Sequence, residues 1–347
     1  MGTPYAVLAP LCAALALTAC RAEPGAQDSD GGDMGDADTT DAPDGTGCTA
    51  LTPRMEAPEA FIGPTGLEAR MSALIDGAKT SLDIQMYLFT VDALADKVIA
   101  AKHRGVAVRV LLDPDHEGNL DVKPRFTSGG VDWKNAPSLY SFSHAKYLIV
   151  DRTEAVIMSM NWNVDAMNRE RNYGLVDRDI EDVADLQGIF NQDWALASGD
   201  ASKPANLACT RLIVSPNNSK TRLLEHIASA TTSLDIEVMY ISETSVRDAI
   251  LAAKSRGVTV RVIVNEPTDE SIVSLKSAGI PVETPATFYL HAKLIIADQV
   301  AFVGSENMSF TSLEKNREVG ALAFEPSTFQ PIKDQFEADW ASSTPVP

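Results

Sequence analysis

SFSHAKYLIVDRTEAVIMSMNWN occupies residues 141–163, and FYLHAKLIIADQVAFVGSENMSF occupies 288–310. Each phrase sets a histidine and a lysine two residues apart, then a second apolar run carrying a serine and an asparagine two apart. Side chains alternate faces along a strand. His291 and Lys293 therefore share one face, with Ala292, Leu294 and Ile296 on the other. The two runs read as a hairpin turning around Asp298-Gln299-Val300, which sets His291 opposite Asn307 and Lys293 opposite Ser305. The same register sets His144 opposite Asn161 and Lys146 opposite Ser159, with a turn one residue longer. Each phrase then presents one polar cluster. Lysine, hydroxyl and amide are donors suited to phosphate oxygens. Histidine serves as a nucleophile or a proton donor.

The repetition extends beyond these phrases. KTSLDIQMYLF (79–89) matches TTSLDIEVMYI (231–241), and IAAKHRGVAVRVLLDP (99–114) matches LAAKSRGVTVRVIVNEP (251–267). FNQDW (190–194) matches FEADW (336–340). One internal duplication explains the body of the chain. Each copy alternates apolar strands with segments of helical periodicity, one stopped by Gly105 or Gly257. That pattern predicts an α/β fold with a parallel or mixed sheet in each half. The halves are placed at 48–200 and 201–347, with the boundary in ASGDASKPANLAC.

The phrases resemble the signature of the phospholipase D superfamily, His-x-Lys-x4-Asp followed by Gly-Ser-x-Asn. His291, Lys293, Asp298, Gly304, Ser305 and Asn307 match it in full. His144, Lys146, Asp151, Ser159 and Asn161 match it with Met158 in the glycine's place and a gap one residue longer. The resemblance covers roughly residues 60–345. It implies α-β-α sandwich halves packed about a pseudo-twofold axis, with both motifs at their interface. It implies a metal-independent phosphodiesterase without cofactor, in which one histidine forms a phosphohistidine and the other protonates the leaving alcohol. The motif aspartates belong to the catalytic set by resemblance; at strand ends, turn or supporting roles suit Asp151 and Asp298 better than direct chemistry. In relatives an acid following the opposite copy's Ser-x-Asn orients each histidine. Here Glu318 in NREVG would support His144, and the aligned Asn172 in RNYG would sit behind His291. That order makes His144 the nucleophile and His291 the acid, with Glu170 and Asp165 as alternative acids behind His291.

The remaining features bound the setting. Residues 1–20 are almost wholly apolar and read as a secretory signal. Their end, Leu17-Thr18-Ala19-Cys20, resembles a bacterial lipobox, which would make Cys20 a lipid attachment site and place the protein in the cell envelope, at the outer membrane. The alternative is an ordinary cleaved signal. Residues 21–47, rich in Asp, Gly and Thr, read as a disordered acidic tether. Residues 1–50 hold eight acids and one base, which leaves a body of 40 acids and 28 bases, a formal charge of −12. That argues against broad nucleic-acid binding and leaves nucleic acid only as a substrate. Cys48 and Cys209, in the matching stretches CTAL and CTRL, form a disulfide or stay as buried thiols. His103 and His226, within helical segments, read as solvated; His116, after a strand, lies where a substrate could be touched. Trp194 and Trp340 read as core caps. The function expected from all this is a monomeric, anchored phospholipase D hydrolysing phospholipids. Alternatives are a nuclease, a cardiolipin synthase-type transphosphatidylase, or a silent envelope binding protein.

Overall fold

The computed structural model describes residues 51–347 and lays each copy into one mixed sheet. The first copy supplies β1 (Glu59–Ile62), β2 (Ser81–Met86), β3 (Ala107–Leu112), β4 (Asp132–Asn135), β5 (Lys146–Val150), β6 (Glu154–Met158), β7 (Glu170–Arg171) and β8 (Tyr173–Asp177). The second supplies β9 (Leu212–Ser215), β10 (Ser233–Val238), β11 (Thr259–Val264), β12 (Val282–Thr284), β13 (Tyr289–Leu290), β14 (Lys293–Ala297), β15 (Val300–Gly304), β16 (Glu318–Ala323) and β17 (Thr344–Pro345). The sheet orders are β1-β8-β6-β5-β2-β3-β4 and β17-β12-β11-β10-β14-β15-β16-β9. Apart from β17 they are the same order, strand for strand. In each, the central strand (β2 or β10) is parallel to its following neighbour and antiparallel to the strand that begins with the motif lysine. The signal segment, the tether, Cys20 and Cys48 lie outside the described residues.

Strand alternation decides what each face meets. In β5, Leu148 and Val150 enter a core with α1 (Leu67–Gly77), α2 (Asp92–His103) and α3 (Val122–Ser128), while Tyr147 and Ile149 enter a second core. That second core is shared: Leu294, Ile296, Ala301 and Val303 of the other copy join it. The closing helix of the first copy, α5 (Ile180–Ala197), which follows the short α4 (Val164–Asn168), also joins it. A third core lies under α6 (Ser219–Ser229), α7 (Thr244–Ser255) and α8 (Glu270–Ser277). After α9 (Phe310–Glu314), the closing helix α10 (Pro326–Ser342) mirrors α5. The sheets therefore pack face to face, with α1–α3 and α6–α8 on the outer faces and the closing helices α5 and α10 against the shared core. Burial of continuous Val/Ile/Leu runs on both faces is the main stabilising term of such layers. Trp194 and Trp340 stack on Phe190 and Phe336 and seal the shared core. Gly105 and Gly257 end α2 and α7 at φ 93° and 91°, a conformation open to glycine.

Three expectations need correction. The hairpins close one residue tighter than expected: Ala297 pairs with Val300 and Val150 with Glu154. Extending that register sets Lys293 opposite Gly304 and Lys146 opposite Met158, not opposite the serines. The cause is the turn, where Asp298 and Asp151 take left-handed φ of 52° and start the reversal at once. A one-residue slip moves a side chain to the other face, so the serines leave the lysine face. Both copies share the corrected offset. His226 is buried rather than solvated, its Nε2 3.1 Å from the Ile295 carbonyl; His103 is exposed as expected. The third concerns the aspartates, which fill the turn role their strand-end places suggested and not the catalytic one the resemblance implied. Asp298 accepts from the amides of Thr231, Thr232 and Ser233 and both threonine hydroxyls. Asp151 does the same with Lys79, Thr80 and Ser81. They clip the hairpin turn to the start of the central strand, a strand length away from the lysines, and take no part in the cluster. Cys209 is disulfide-bonded.

Candidate active site

Lys146 pairs with Met86 and Lys293 with Val238, at the ends of the central strands. The histidines two residues earlier have left the sheet and run alongside the other copy. Backbone bonds join His144 N to the Arg317 carbonyl and Arg317 N to the Phe142 carbonyl, both 2.9 Å. In the mirrored place, His291 N donates to the Arg171 carbonyl at 3.1 Å, and β13 pairs with β7. Reciprocal contacts of this kind are what a twofold arrangement produces. They carry both histidines to the interface.

Each arginine in those contacts is itself clamped across the interface. Arg317 reaches Asp193 with Nε and Nη2, both at 2.8 Å. Arg171 reaches Asp339 at 2.6 and 2.9 Å. These aspartates belong to the FNQDW and FEADW repeats, whose function the sequence pattern did not disclose. Bidentate arginine–carboxylate pairs fix position as well as charge. They hold the residues on either side of each arginine behind the opposite histidine.

Nδ1 of His144 lies 2.8 and 2.9 Å from the Glu318 carboxylate oxygens. Nδ1 of His291 lies 3.0 Å from Oδ1 of Asn172. A carboxylate only accepts, so Nδ1 of His144 carries the proton and Nε2 is left with its lone pair. Glu318 also accepts from Ser312 and Asn316. Glu170 stands 3.7 Å from Nδ1 of His291 and accepts from Asn172, so a carboxylate does lie behind His291, one residue further back. Asp165 is exposed and pairs with Arg169.

Burial decides the charge states. It pushes His144 down to about 4, with Lys146 and Lys293 adding to the effect against the pull of Glu318. Burial, then Lys293, Lys146 and His144, push His291 well below the ordinary histidine range. Burial brings Lys146 down to about 7 and, with Lys146 beside it, lowers Lys293 well below the usual lysine value. Burial alone would raise Glu318, but His144, Lys146 and Asn316 hold it below the usual carboxylate range. The site thus brings together two imidazoles and two lysines whose charged forms burial disfavours.

The other predicted residues fall into two groups. Asn307 lines the cleft with His144, and the side-chain oxygens of Asn161 and Asn307 are buried without partners. Either amide can be turned over to donate to a phosphate oxygen. Ser159 instead donates to Asn172 and accepts from Tyr173 N, and Ser305 bonds to Val319. They brace the strands that carry Asn172 and Glu318. Two residues escaped the sequence reading. The Tyr87 ring lies 4.6 Å from that of His144 and 4.9 Å from Nζ of Lys146. Its counterpart Met239 sets Sδ 3.2 Å from Nζ of Lys293. Both directly follow the central strands, which is the signal that could have found them. His116 stands edge-on to Tyr87 at 4.8 Å, one ring removed from His144. A cleft of about 370 Å³ opens beside His144, lined by Tyr87, Tyr240, Ser242, Ser309, Thr311 and Asn316 among others.

The chain matches the family model described as "Cardiolipin synthase, PLD-like domain" over residues 71–194 and again over 223–340. Cardiolipin synthase 2 of Bacillus anthracis is 24% identical over 341 residues, covering 81% of this chain and 65% of that protein. Mitochondrial cardiolipin hydrolase of Danio rerio is 34% identical over 135 residues, 37% of this chain and 60% of that protein. The chain spans less than two thirds of the length of these two relatives. Among solved structures, phosphatidylserine synthase of Haemophilus influenzae Rd KW20 aligns with a TM-score of 0.64 at 13% identity, over 84% of this chain and 88% of that one. Polyphosphate kinase of Porphyromonas gingivalis aligns with a TM-score of 0.66 at 17% identity, over 83% of this chain and 48% of that one. At such identities the structural likeness speaks for the fold. The family match, found once in each copy, speaks for descent: the chain belongs to the phospholipase D superfamily and carries two PLD-like domains.

Proposed function

We propose that this protein is a phosphatidyl transferase of cardiolipin synthase type, exchanging the alcohol of a glycerophospholipid through a phosphohistidine on His144. The observation that carries the reading is the crossed pair at one interface, Glu318 behind His144 and Asn172 behind His291. Nε2 of His144 attacks phosphorus, a P–N bond forms, and the P–O bond to the head-group alcohol breaks. His291 supplies that alkoxide with a proton. The acceptor alcohol then gives its proton to His291, its oxygen attacks phosphorus, and the P–N bond breaks. Lys146, Lys293, Asn161 and Asn307 meet the charge on the phosphoryl oxygens. His291 is unprotonated in the free site; the anionic phosphate is what raises it enough to act as the acid.

Transfer is preferred to the hydrolysis expected earlier for two reasons. Curated relatives covering most of the chain carry the name cardiolipin synthase. The cleft beside His144 also offers hydroxyls and an amide from Ser242, Ser309, Thr311 and Asn316, groups that can hold an incoming alcohol. The test is incubation of the protein with phosphatidylglycerol vesicles in EDTA. Cardiolipin and glycerol appearing together support transfer, and phosphatidate with glycerol reinstates hydrolysis. Labelled phosphoenzyme should be trapped with His291→Ala and absent with His144→Ala. Absence of turnover on any phosphodiester, single-stranded DNA included, removes the enzyme reading.

A further inference from the structure

Six of the ten large apolar side chains exposed among the described residues are gathered at one end of the molecule. They are Leu120, Leu139, Phe142, Val164, Tyr289 and Phe310, from 41% to 63% exposed. Leu120 follows β3, Leu139 and Phe142 precede β5, and Val164 follows β6. Tyr289 precedes β14, and Phe310 follows β15. All five connections leave the sheets at the end where Lys146 meets Met86 and Lys293 meets Val238, which is where the histidines emerge. Of the other four, Met55 and Ile180 mark the opposite end, Met55 N being bonded to Asp179.

The six come from both copies and lie on connections at the end of the sheets that carries the histidines. Ser141 N donates to the Lys315 carbonyl and Arg317 N to that of Phe142, so Leu139 and Phe142 stand on the same side as Phe310. Tyr289 N lies 3.4 Å from the Arg169 carbonyl, just past the helix that Val164 begins. Asn119, next to Leu120, is tied to the Tyr87 carbonyl. Phe142 also lines the cleft beside His144, so the rim runs into the site. Exposed lysine and arginine stand among the apolar groups: Nζ of Lys315 is 5.6 Å from the Phe310 ring, and Arg169 is exposed.

We infer that this rim is a lipid-docking surface that dips its apolar side chains into a bilayer and brings the cleft to the head groups; the choice of a lipid rests on the function proposed above. Scattered apolar side chains need no explanation, but six of ten gathered at the end that carries the site do. Water disfavours them, and an acyl boundary accepts them while Lys315 and Arg169 remain at head-group level. A body of formal charge −12 repels anionic lipid, so insertion rather than charge must hold it there. Binding that depends on insertion resists salt.

The experiment uses the full chain carrying Cys20→Ser, so that no acyl group at that position can hold it to vesicles. Vesicles of phosphatidylcholine and phosphatidylglycerol are sedimented with this protein, with a Leu139→Ser/Val164→Ser/Phe310→Ser variant and with an Ile180→Ser control. Bis-p-nitrophenyl phosphate turnover is followed in parallel. Expected are vesicle binding unchanged between low and high salt, and about a tenfold or greater loss of binding in the triple variant. The control should bind normally, and turnover of the water-soluble diester should be equal in all three. Equal binding by the triple variant, or equal loss in the control, overturns the inference. So does a dimer that the triple variant dissolves, which reassigns the rim to a second copy. A protein that binds vesicles through the rim without transforming any lipid keeps this inference and removes the function proposed above.

Discussion

Glu318, from the second copy, holds His144, from the first, through a contact of 2.8 Å at Nδ1. The mirrored place is filled by Asn172, and the difference is an exchange rather than a loss. The second copy reads Asn316-Arg317-Glu318 and the first reads Glu170-Arg171-Asn172. The arginine stays, clamped by Asp193 or Asp339, while acid and amide trade sides around it. Asn316 then donates to Glu318, and Asn172 to Glu170. Each histidine has a carboxylate and an amide behind it, but only His144 touches the carboxylate. That contact stabilises an imidazolium, or the phosphorylated ring, more than an amide does.

Glu318→Gln should therefore lower kcat by roughly 10³–10⁴ with little change in KM, as loss of a carboxylate behind a working imidazole does elsewhere. Asn172→Ala should cost less, about ten- to a hundredfold, since Glu170 is near enough to replace it. Rapid-quench measurement of the phosphoenzyme separates the two. Glu318→Gln should slow its appearance, and Asn172→Ala should slow the release of the first alcohol. Equal effects on both steps would remove the asymmetry.

The lysines give the pH profile its shape. Lys146 must be charged to meet the phosphate, and in the free protein burial brings it down to about 7. Its charged fraction falls as pH rises through that value, so kcat/KM should fall above about pH 7. At the other limb His144 must be unprotonated, and its value of about 4 keeps it so through the neutral range. In kcat the alkaline limb should move upward, because a bound phosphate raises Lys146. Lys146→Arg, which stays charged, should remove the Lys146 share of the alkaline limb at reduced rate and leave that of Lys293. Profiles of kcat/KM and kcat from pH 5 to 9.5 check this.

The repeated phrases contained most of the fold, because a duplication shows its strands twice and burial on both faces leaves unmistakable apolar runs. The crossed placement of Glu318 and Asn172 came from family resemblance and is matched by the distances. What escaped depends on turn geometry and on contacts between copies. A left-handed Asp298 shifts the hairpin by one residue and sends Ser305 to Val319 instead of the lysine face. No pattern within one copy could show that Asp193 would reach Arg317, since the two are brought together only by packing of the halves. His226 lies in a stretch with the composition of a surface helix, yet faces the Ile295 carbonyl in the core.

Asp298→Ala should damage stability and spare chemistry. Burial would raise its carboxyl, but bonds from Thr232, Ser233 and Thr231 hold it well below the usual range. A depressed carboxyl contributes stability that is present above its unfolded value near 4 and is lost as pH falls through the folded one. The group is partly exposed, so solvent weakens the effect, and a cost of roughly 1–2 kcal/mol is expected. Thermal unfolding should show a lower Tm at pH 7 and a smaller difference from the parent near pH 3. The kcat/KM should be within about twofold of the parent.

Glu306 makes the opposite prediction. It is fully buried, no other side chain donates to its carboxyl, which meets only the backbone amides of Ser305 and of Glu306 itself, and its counterpart in the first copy is Met160. Its carboxyl lies where side chains on Gly304 and Gly320 would stand, with contacts of 2.4 and 2.9 Å to a Cβ at each. Burial, and then the nearby Glu318, raise it well above the usual range, so it is held as the neutral acid. A raised carboxyl keeps its full contribution below the unfolded value near 4.5 and destabilises the fold as pH climbs toward the folded value. Glu306→Met copies the other repeat and removes a buried acid that no other side chain partners. It should raise stability at pH 8 by about 1–3 kcal/mol and matter less at pH 4. Denaturant titrations at the two pH values measure this. A variant less stable than the parent at pH 8 would show that the backbone amides of Ser305 and Glu306 outweigh the cost of burying the acid.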